Sequence, residues 1–305
     1  YEEEVEFDSE KLGILFIEWE DIKSFRGHNS FRVSIAGRSH LAGDLTIDGD
    51  VVTLQGQGET HRLTRKELVA ITPVAAREFD NWSGDTTLGI NIRQGNTDTV
   101  EYDFLARLER LAPRSRLLFD YVGNFNKTDK ETLANSHRVT GSFSLISGER
   151  LYWRPLTTQY FRDPFQNIGH QLTLETGLGY DIIDNRRTDW QVSAGVGVNY
   201  LAYESVEAGQ DSSETSPALT FGTEFETEVT SWMDYLFLMQ VTLLDEDSGT
   251  YQHHLVSTLS TDLIGNFDLD ITLVWDRIEN PQQRSDGSFP EQDDFRLTVG
   301  VGYEF

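Results

Sequence analysis

The feature that most constrains the fold is a two-residue alternation that runs through long segments from Trp82 to Phe305. In the last segment, DFRLTVGVGYEF, every odd position from Phe295 onwards is apolar, and every even position is polar or glycine. Residues two apart in sequence lie on the same face of a β-strand. The pattern therefore predicts strands that each have one apolar face and one polar face.

Twelve segments show this alternation, and all are longer than the roughly five to six residues of an ordinary strand. They cover residues 84–95, 97–111, 115–126, 134–147, 149–161, 167–183, 188–203, 216–229, 231–245, 250–264, 266–278 and 293–305. An even number of long alternating strands is typical of single-chain bacterial outer-membrane barrels.

The charge of the polar face distinguishes a membrane barrel from a soluble sandwich. Rows such as Glu224, Glu226 and Glu228 are too charged for a dry core between two sheets, and the opposite faces are too apolar for water. A closed barrel with lipid outside and a polar lumen suits both faces, and it pairs every backbone N–H and C=O group. We therefore predict an all-β protein with a twelve-stranded antiparallel transmembrane β-barrel over residues 82–305, located in the bacterial outer membrane.

The same alternation predicts a set of charged residues that point into the lumen. They are Glu101, Asp103, Arg107, Glu109, Arg116, Asp120, Arg138, Glu175, Asp181, Glu224, Glu226, Glu228, Asp268, Asp270 and Arg296. Barrels of eight strands are filled by side chains, and barrels of sixteen or more hold water channels. Two alternatives therefore stay open. The lumen is either a narrow pore whose acids favour cations, or a plugged barrel whose inward arginines pair with those acids.

Residues 1–72 have a different rhythm, with short alternating strands between turns. The predicted strands are 4–8, 13–19, 31–35, 44–48, 51–55 and 60–63. A weak repeat is visible, because each copy closes with an acidic residue followed by an apolar one, at Asp21-Ile22 and at Glu67-Leu68. We predict a small β-rich periplasmic domain whose two copies pack as one curled sheet, followed by a linker over residues 73–81. Because the chain starts inside a strand, we expect residues before Tyr1.

The connections between the barrel segments alternate in length, which predicts their sidedness. The short set is LAPRS, SGE, DNRRTD, TS and GN, and the long set includes NKTDKETLA, RDPFQ, ESVEAGQDSSETS, DEDSG and ENPQQRSDGSFPEQD. Periplasmic turns are short in such barrels, so both barrel ends and the N-terminal domain are predicted to be periplasmic. Trp82, Trp153, Trp190 and Trp232 each lie close to a short turn, which predicts an aromatic girdle at the inner membrane–water interface.

Two resemblances add to this interpretation. The last strand resembles the insertion signal of outer-membrane barrels, with Thr298, Gly300, Tyr303 and Phe305 at its positions, which implies recognition by the barrel-assembly machinery. The chain also resembles the salt-induced (YdiY-like) outer-membrane protein family, in residues 88–110, in residues 160–183 and in the GVGYEF end. The Gly95-Asn96-Thr97 turn and the Gly177-Leu178-Gly179-Tyr180 run are its most recognisable pieces. The family resemblance implies location and architecture, but no catalytic residue.

Signals for chemistry are weak. The chain has no cysteine and seven histidines, and His253 and His254 are adjacent, so they point to opposite faces of a strand and cannot hold one ion together. No HExxH, GxSxG or phosphate-loop motif is present. The acidic runs of the long connections match no defined calcium loop. We predict no metal and no cofactor.

The charge balance bears on partners and function. With 51 Asp+Glu against 25 Lys+Arg, the net charge of −26 argues against nucleic acid. The predicted partners are outer-membrane lipid and lipopolysaccharide, the barrel-assembly machinery and a periplasmic partner of the N-terminal domain. The first functional hypothesis is a narrow cation-preferring pore or a salt- and envelope-stress protein. The second is a non-conducting structural or docking protein anchored by a plugged barrel. The third is an interfacial lipid-acting enzyme that uses His170, for which no serine partner is evident; we expect no enzyme.

Overall fold

The fold is that of a computed structural model, which describes residues 4–9, 13–35, 38–56, 59–73, 78–93, 99–112, 115–146, 150–185, 187–245, 248 and 250–305. The chain divides into two compact units, Tyr1–Asn81 and Trp82–Phe305. The helices in the described part are short 3-10 turns, and none of them has the length and apolar character needed to cross a membrane.

The first unit is built from strands that alternate apolar and polar residues. Its described strands are β1 Glu4–Ser9, β2 Gly13–Glu18, β3 Ser24–Ile35, β4 Arg38–Asp48, β5 Val51–Gly56, β6 Glu59–Thr64 and β7 Leu68–Pro73. They form a two-stranded sheet, β1-β2, and a five-stranded sheet in the order β6-β5-β4-β3-β7. The prediction of one curled sheet was therefore wrong. Strand β7 was not predicted from the sequence. Its last residue, Pro73, pairs with Phe31.

The two repeats of the first unit close with the same local structure. A 3-10 helix follows β2 at Trp19–Asp21, and another follows β6 at Arg65–Glu67. Arg65 joins them, because its guanidinium lies 4.7 Å from the centre of the Trp19 ring and donates a 3.1 Å hydrogen bond to the Trp19 carbonyl. A second Arg65 nitrogen donates to the carbonyl of Ile22.

The second unit is a closed barrel of twelve strands, and adjacent strands in sequence are neighbours in space. The strands are β8 Trp82–Arg93, β9 Thr99–Ala112, β10 Ser115–Thr128, β11 Glu131–Ile146, β12 Leu151–Asp163, β13 Ile168–Asn185, β14 Thr188–Tyr203, β15 Ser213–Thr230, β16 Met233–Leu243, β17 Tyr251–Ile264, β18 Phe267–Ile278 and β19 Asp293–Glu304. Every pair is antiparallel. The predicted twelve-stranded antiparallel barrel is confirmed.

One predicted long connection is a tight turn instead. NKTDKETLA was expected to be a loop, but β10 and β11 extend through it and leave only Asp129 and Lys130 between them. Both residues have positive φ, 49° and 75°, which is the backbone that a two-residue hairpin turn requires. The flanking threonines favour extended backbone, so the hairpin continues to its tip. The first predicted connection, at Gly95-Asn96-Thr97, lies outside the described residues.

The closure between β19 and β8 is short. Four pairs are registered between these described strands, from Val301–Leu88 to Glu304–Asp85, whereas every other neighbouring pair of barrel strands registers nine or more. Gly84 and Phe305 extend the closure by exchanging two backbone hydrogen bonds of 3.1 and 3.0 Å.

Candidate functional site: the barrel interior

Contacts between distant strands identify the inner face. Arg107 on β9 forms an ion pair with Glu224 on β15, and Arg138 on β11 forms one with Asp276 on β18. In the strand order of the barrel, β9 and β15 lie directly opposite each other, and β11 and β18 nearly so. Only side chains that enter the interior can meet in this way, so these four residues fix which positions of their strands point inward.

A buried charged cluster lies in the interior around Arg138. Its Nη2 donates to Asp276 Oδ1 at 2.7 Å, and its Nη1 donates to Gln159 Oε1 at 3.0 Å. His254 Nδ1 lies 2.8 Å from the same Asp276 oxygen. The guanidinium also stacks 3.8 Å from the centre of the Phe161 ring. The cluster joins four strands, and all its polar members are buried, so the charges are compensated by one another and not by bulk water.

A second charged group lies around Arg107. Besides its contact with Glu224, Arg107 has Asp120 at 3.6 Å on the adjacent strand. Nearby on the same two strands, Arg116 Nε lies 2.9 Å from Glu109 Oε1. These three contacts between carboxylates and guanidinium groups tie β9 both to its neighbour and to the opposite wall.

Neutral side chains also reach across the interior. Gln171 Nε2 donates to Asn199 Oδ1 at 2.8 Å and to Gln252 Oε1 at 3.1 Å, which links β13 to β14 and to β17. Gln159 and Gln240 connect β12 to β16 at 3.4 Å. Such amides fill space between the walls while keeping their polar atoms bonded.

The interior is apolar near the long loops. Phe161, Ile168, Leu201 and Ile278 form one buried cluster, and they come from β12, β13, β14 and β18. Because β12 and β18 are opposite strands, the cluster spans the interior at this end.

Asn167 connects three loops by hydrogen bonds at the same end of the barrel: its own loop between β12 and β13, the β14–β15 loop and the β18–β19 loop. Its Nδ2 donates to the carbonyls of Ser205 and Gln282 at 3.0 and 3.1 Å, and its Oδ1 accepts from the Ser205 N–H at 2.9 Å. Asn167 has φ 62°, a left-handed conformation that asparagine adopts more readily than most residues. The side chain is fully buried. The loop end of the barrel is therefore closed by packed apolar residues and bonded loops.

The opposite end, near the short turns, contains an open acidic space. A cavity of about 430 Å³ is lined by Arg187, Thr188, Asp189, Glu226, Glu228, Thr230, Ser231 and Asp234. Four of these residues are carboxylates, and they come from β14, β15 and β16. Among the described residues, no three His, Asp or Glu side chains form a group that could hold a metal ion.

The predicted lumen residues fall into two groups. The structure brings together Arg107 with Asp120 and Glu224, Arg116 with Glu109, Arg138 with Asp276, and Arg296 with Asp103 at 3.6 Å. Glu175 accepts a hydrogen bond from Thr220, and Asp270 accepts one from Thr87 at 2.5 Å. The strand register places the others on the same inner faces without bringing them into one site; they are Glu101, Asp181, Glu226, Glu228 and Asp268.

Sequence reasoning left out several interior residues that matter most. Asp276, His254 and Gln159 share the inward parity of their strands, and that parity was the available signal. Asn167 gave no signal, because its role depends on loops more than thirty residues away.

The outer face carries the tryptophans predicted for the membrane interface and part of the predicted assembly signal. Trp82, Trp153, Trp190 and Trp232 all lie at the short-turn end. Of the C-terminal signal, Thr298 and Gly300 face inward, whereas Tyr303 and Phe305 are exposed outside. His170 also faces outward, and its recorded partner among the described residues is the Tyr160 hydroxyl, at 2.8 Å, and not a serine.

Comparison with known proteins adds the following. A family model described as "Protein of unknown function, DUF481" matches residues 86–305; it represents the YdiY-like family. No curated protein matches the chain. Among solved structures, the NanC porin is 9% identical with a TM-score of 0.43, and the match covers 73% of this chain and 100% of that one. The outer membrane channel DcaP of Acinetobacter baumannii is 13% identical with a TM-score of 0.34, covering 90% and 83%. Likeness of this degree does not carry a function over to this chain.

Proposed function

This chain belongs to the DUF481 family of proteins of unknown function, and from its own geometry we propose that it is an outer-membrane barrel that does not conduct in this closed form. The barrel anchors the N-terminal β unit at the periplasmic surface. This proposal corresponds to the structural or docking alternative that the sequence left open, and it assigns the protein no catalytic role.

The outward surface supports insertion in a membrane. Leu297 and Phe295 on β19 and Ile90 on β8 are each more than 60% exposed, and similar apolar side chains alternate along the other barrel strands. Soluble monomers rarely expose so large an apolar surface to water. A closed antiparallel barrel with an apolar exterior is the form in which β-strands cross lipid. The short turns at the end that contains both β8 and the end of β19 support a periplasmic N-terminal unit.

The single observation that carries the closed state is the set of side-chain contacts that join opposite walls. Two ion pairs cross the interior at different levels, Arg107 with Glu224 and Arg138 with Asp276. The apolar cluster around Phe161 fills the interior at the loop end. Ions that cross such an interior must first break buried ion pairs, which are poorly compensated once separated.

Planar-bilayer recording tests the closed state. We expect no discrete conductance steps from the purified full chain. We expect steps from the Arg107→Gln, Arg138→Gln, Phe161→Ala triple variant, which loses both wall-to-wall pairs and the largest side chain of the apolar cluster at the loop end. The control is Arg277→Gln, which removes an arginine on the outer face and should leave the recording silent. Regular steps from the unmodified chain would overturn the proposal.

A cation-preferring pore is a second candidate, and the acid-lined cavity favours it. Glu226 and Glu228 border that cavity, and inward acids attract cations and repel anions. If the unmodified chain conducts, replacing Glu224, Glu226 and Glu228 by lysine should shift the reversal potential in a salt gradient towards anion preference. An unchanged reversal potential would remove this candidate.

A further inference from the structure

The outer face carries a row of basic side chains near the loop end. His137 on β11 is the registered partner of Arg162 on β12. His170 on β13 continues the row, because it directly precedes Gln171, the registered partner of Phe161. Arg162 and His170 have the opposite parity to the inward Phe161 and Gln171, so the row faces outward. The row therefore crosses three adjacent strands at one level.

Two tyrosines hold the imidazoles of this row in place. The Tyr121 hydroxyl lies 2.8 Å from His137 Nδ1, and the Tyr160 hydroxyl lies 2.8 Å from His170 Nδ1. Gly123, which pairs with His137, makes the first contact possible, since a Cβ at that position would lie 2.3 Å from the tyrosine oxygen. Each tyrosine hydroxyl occupies Nδ1, which leaves Nε2 as the nitrogen that can face an external ligand. His137 Nε2 already lies 2.9 Å from Asn135 Oδ1, whereas His170 Nε2 has no hydrogen-bond partner within the described residues.

Arg162 differs from another outward arginine at the same end of the barrel. Arg277 on β18 is neutralised by two carboxylates, Asp293 at 2.6 Å and Glu279 at 2.7 Å. No carboxylate lies within ion-pair distance of Arg162 in the part of the chain that the structure describes. In a chain with twice as many acids as bases, an outward arginine flanked by two histidines is unusual. Its charge can be compensated by an anion from outside the protein.

We propose that Arg162 and His170, with His137 beside them, bind a phosphate group on the headgroup of a phosphorylated glycolipid in the leaflet that surrounds the loop end. The inference rests on the proposed membrane insertion. A guanidinium matches two phosphate oxygens with parallel hydrogen bonds, and His170 Nε2 can donate to a third. Tyr121 and Tyr160 both pair with Val139, two residues farther from the loop end than His137. Tyrosine rings at this level suit the boundary between headgroups and acyl chains.

Lipid preference in reconstituted vesicles tests the proposal. The full chain is inserted into phosphatidylcholine vesicles that contain bisphosphorylated lipid A, its dephosphorylated form, or phosphatidylglycerol, and insertion is scored separately by protease protection. Co-purification of labelled lipid after mild detergent extraction then measures retention. We expect the unmodified chain to retain bisphosphorylated lipid A over both other lipids, and Arg162→Gln to lower its affinity about tenfold, as the loss of a hydrogen bond to a charged group implies.

Two further variants keep the result interpretable. Arg277→Gln removes an arginine that is already paired and should leave retention unchanged. Arg162→Lys keeps the charge without the planar fork and should give an intermediate affinity, which also serves if Arg162→Gln fails to insert. Equal retention of phosphorylated and dephosphorylated lipid, or equal affinity in Arg162→Gln and the unmodified chain, would overturn the phosphate site. Failure of every form to insert would instead refute the membrane barrel itself.

Discussion

The two β units of this chain bury opposite kinds of side chain. In the N-terminal unit, Val33, Leu45, Ile47, Val52 and Leu54 form a dry core with 2% exposure or less. In the barrel, buried residues are mostly polar or charged, such as Asn199, Thr272 and Asp276, and most of the large apolar side chains are exposed outside. The same two-residue alternation produces both. The N-terminal strands bury their apolar faces in a core, whereas the barrel strands close around a space and bury their polar faces.

The largest expected effect comes from breaking the polar core of the barrel. Arg138→Leu leaves the Asp276 carboxylate buried without its main partner, which should cost about 3–5 kcal/mol of unfolding free energy. Urea unfolding in lipid vesicles measures it. The double variant Arg138→Leu, Asp276→Leu should recover most of the loss, because no unpaired charge remains. If the double variant is as unstable as the single one, the interior depends on something other than charge pairing.

The dry core of the N-terminal unit should respond to lost volume. Leu54→Ala removes a fully buried side chain and should cost about 2–5 kcal/mol. Hydrogen exchange of the β4 and β5 amides in the full chain reports it. Leu297→Ala on the exposed barrel face is the matched control and should leave the exchange of barrel amides nearly unchanged. Equal losses at both sites would contradict the contrast between the two units.

A charge on the outer face should distinguish lipid from water as its surroundings. Leu273 is exposed outside, and the adjacent Thr272 is fully buried inside, both near the middle of β18. Leu273→Lys should cost about 2–4 kcal/mol in vesicles, the range for a cation on the lipid face near mid-membrane. The measurement is again urea unfolding. A lysine accepted there without loss would mean that this face does not meet acyl chains.

The smallest expected effect concerns the loop cap. Asn167→Gly keeps a residue that tolerates the left-handed backbone but removes the amide that bonds the Ser205 and Gln282 carbonyls. Leaving those groups unsatisfied should cost about 1–3 kcal/mol, seen as faster proteolysis within residues 204–212. Asn280→Ala is the control, since that asparagine bonds only one hydroxyl, at 2.6 Å, among its recorded contacts in the described loops. Unchanged cleavage in Asn167→Gly would show that the cap is held by the apolar cluster alone.

The sequence predicted the barrel far better than its interior. Strand number, inward parity and the opposite facing of His253 and His254 follow from alternation, which is local. The partner of Arg107 does not, because Glu224 lies 117 residues away and their meeting depends on closure and on how neighbouring strands are staggered. The prediction of connection lengths was wrong where the backbone conformation, and not the composition, determines the turn. Asp129 and Lys130 look like part of a polar loop, yet their positive φ values make a hairpin tip.

The short closure between β19 and β8 determines where the cylinder will part first. Among the described residues, four registered pairs and the two backbone hydrogen bonds between Gly84 and Phe305 close the barrel here, and peptide groups without partners are costly in hydrocarbon. Heat or mechanical load should therefore unzip the wall along this line. The N-terminal unit is covalently continuous with β8. Tension applied to that unit is therefore transmitted through the backbone to β8, one of the two strands that form this closure.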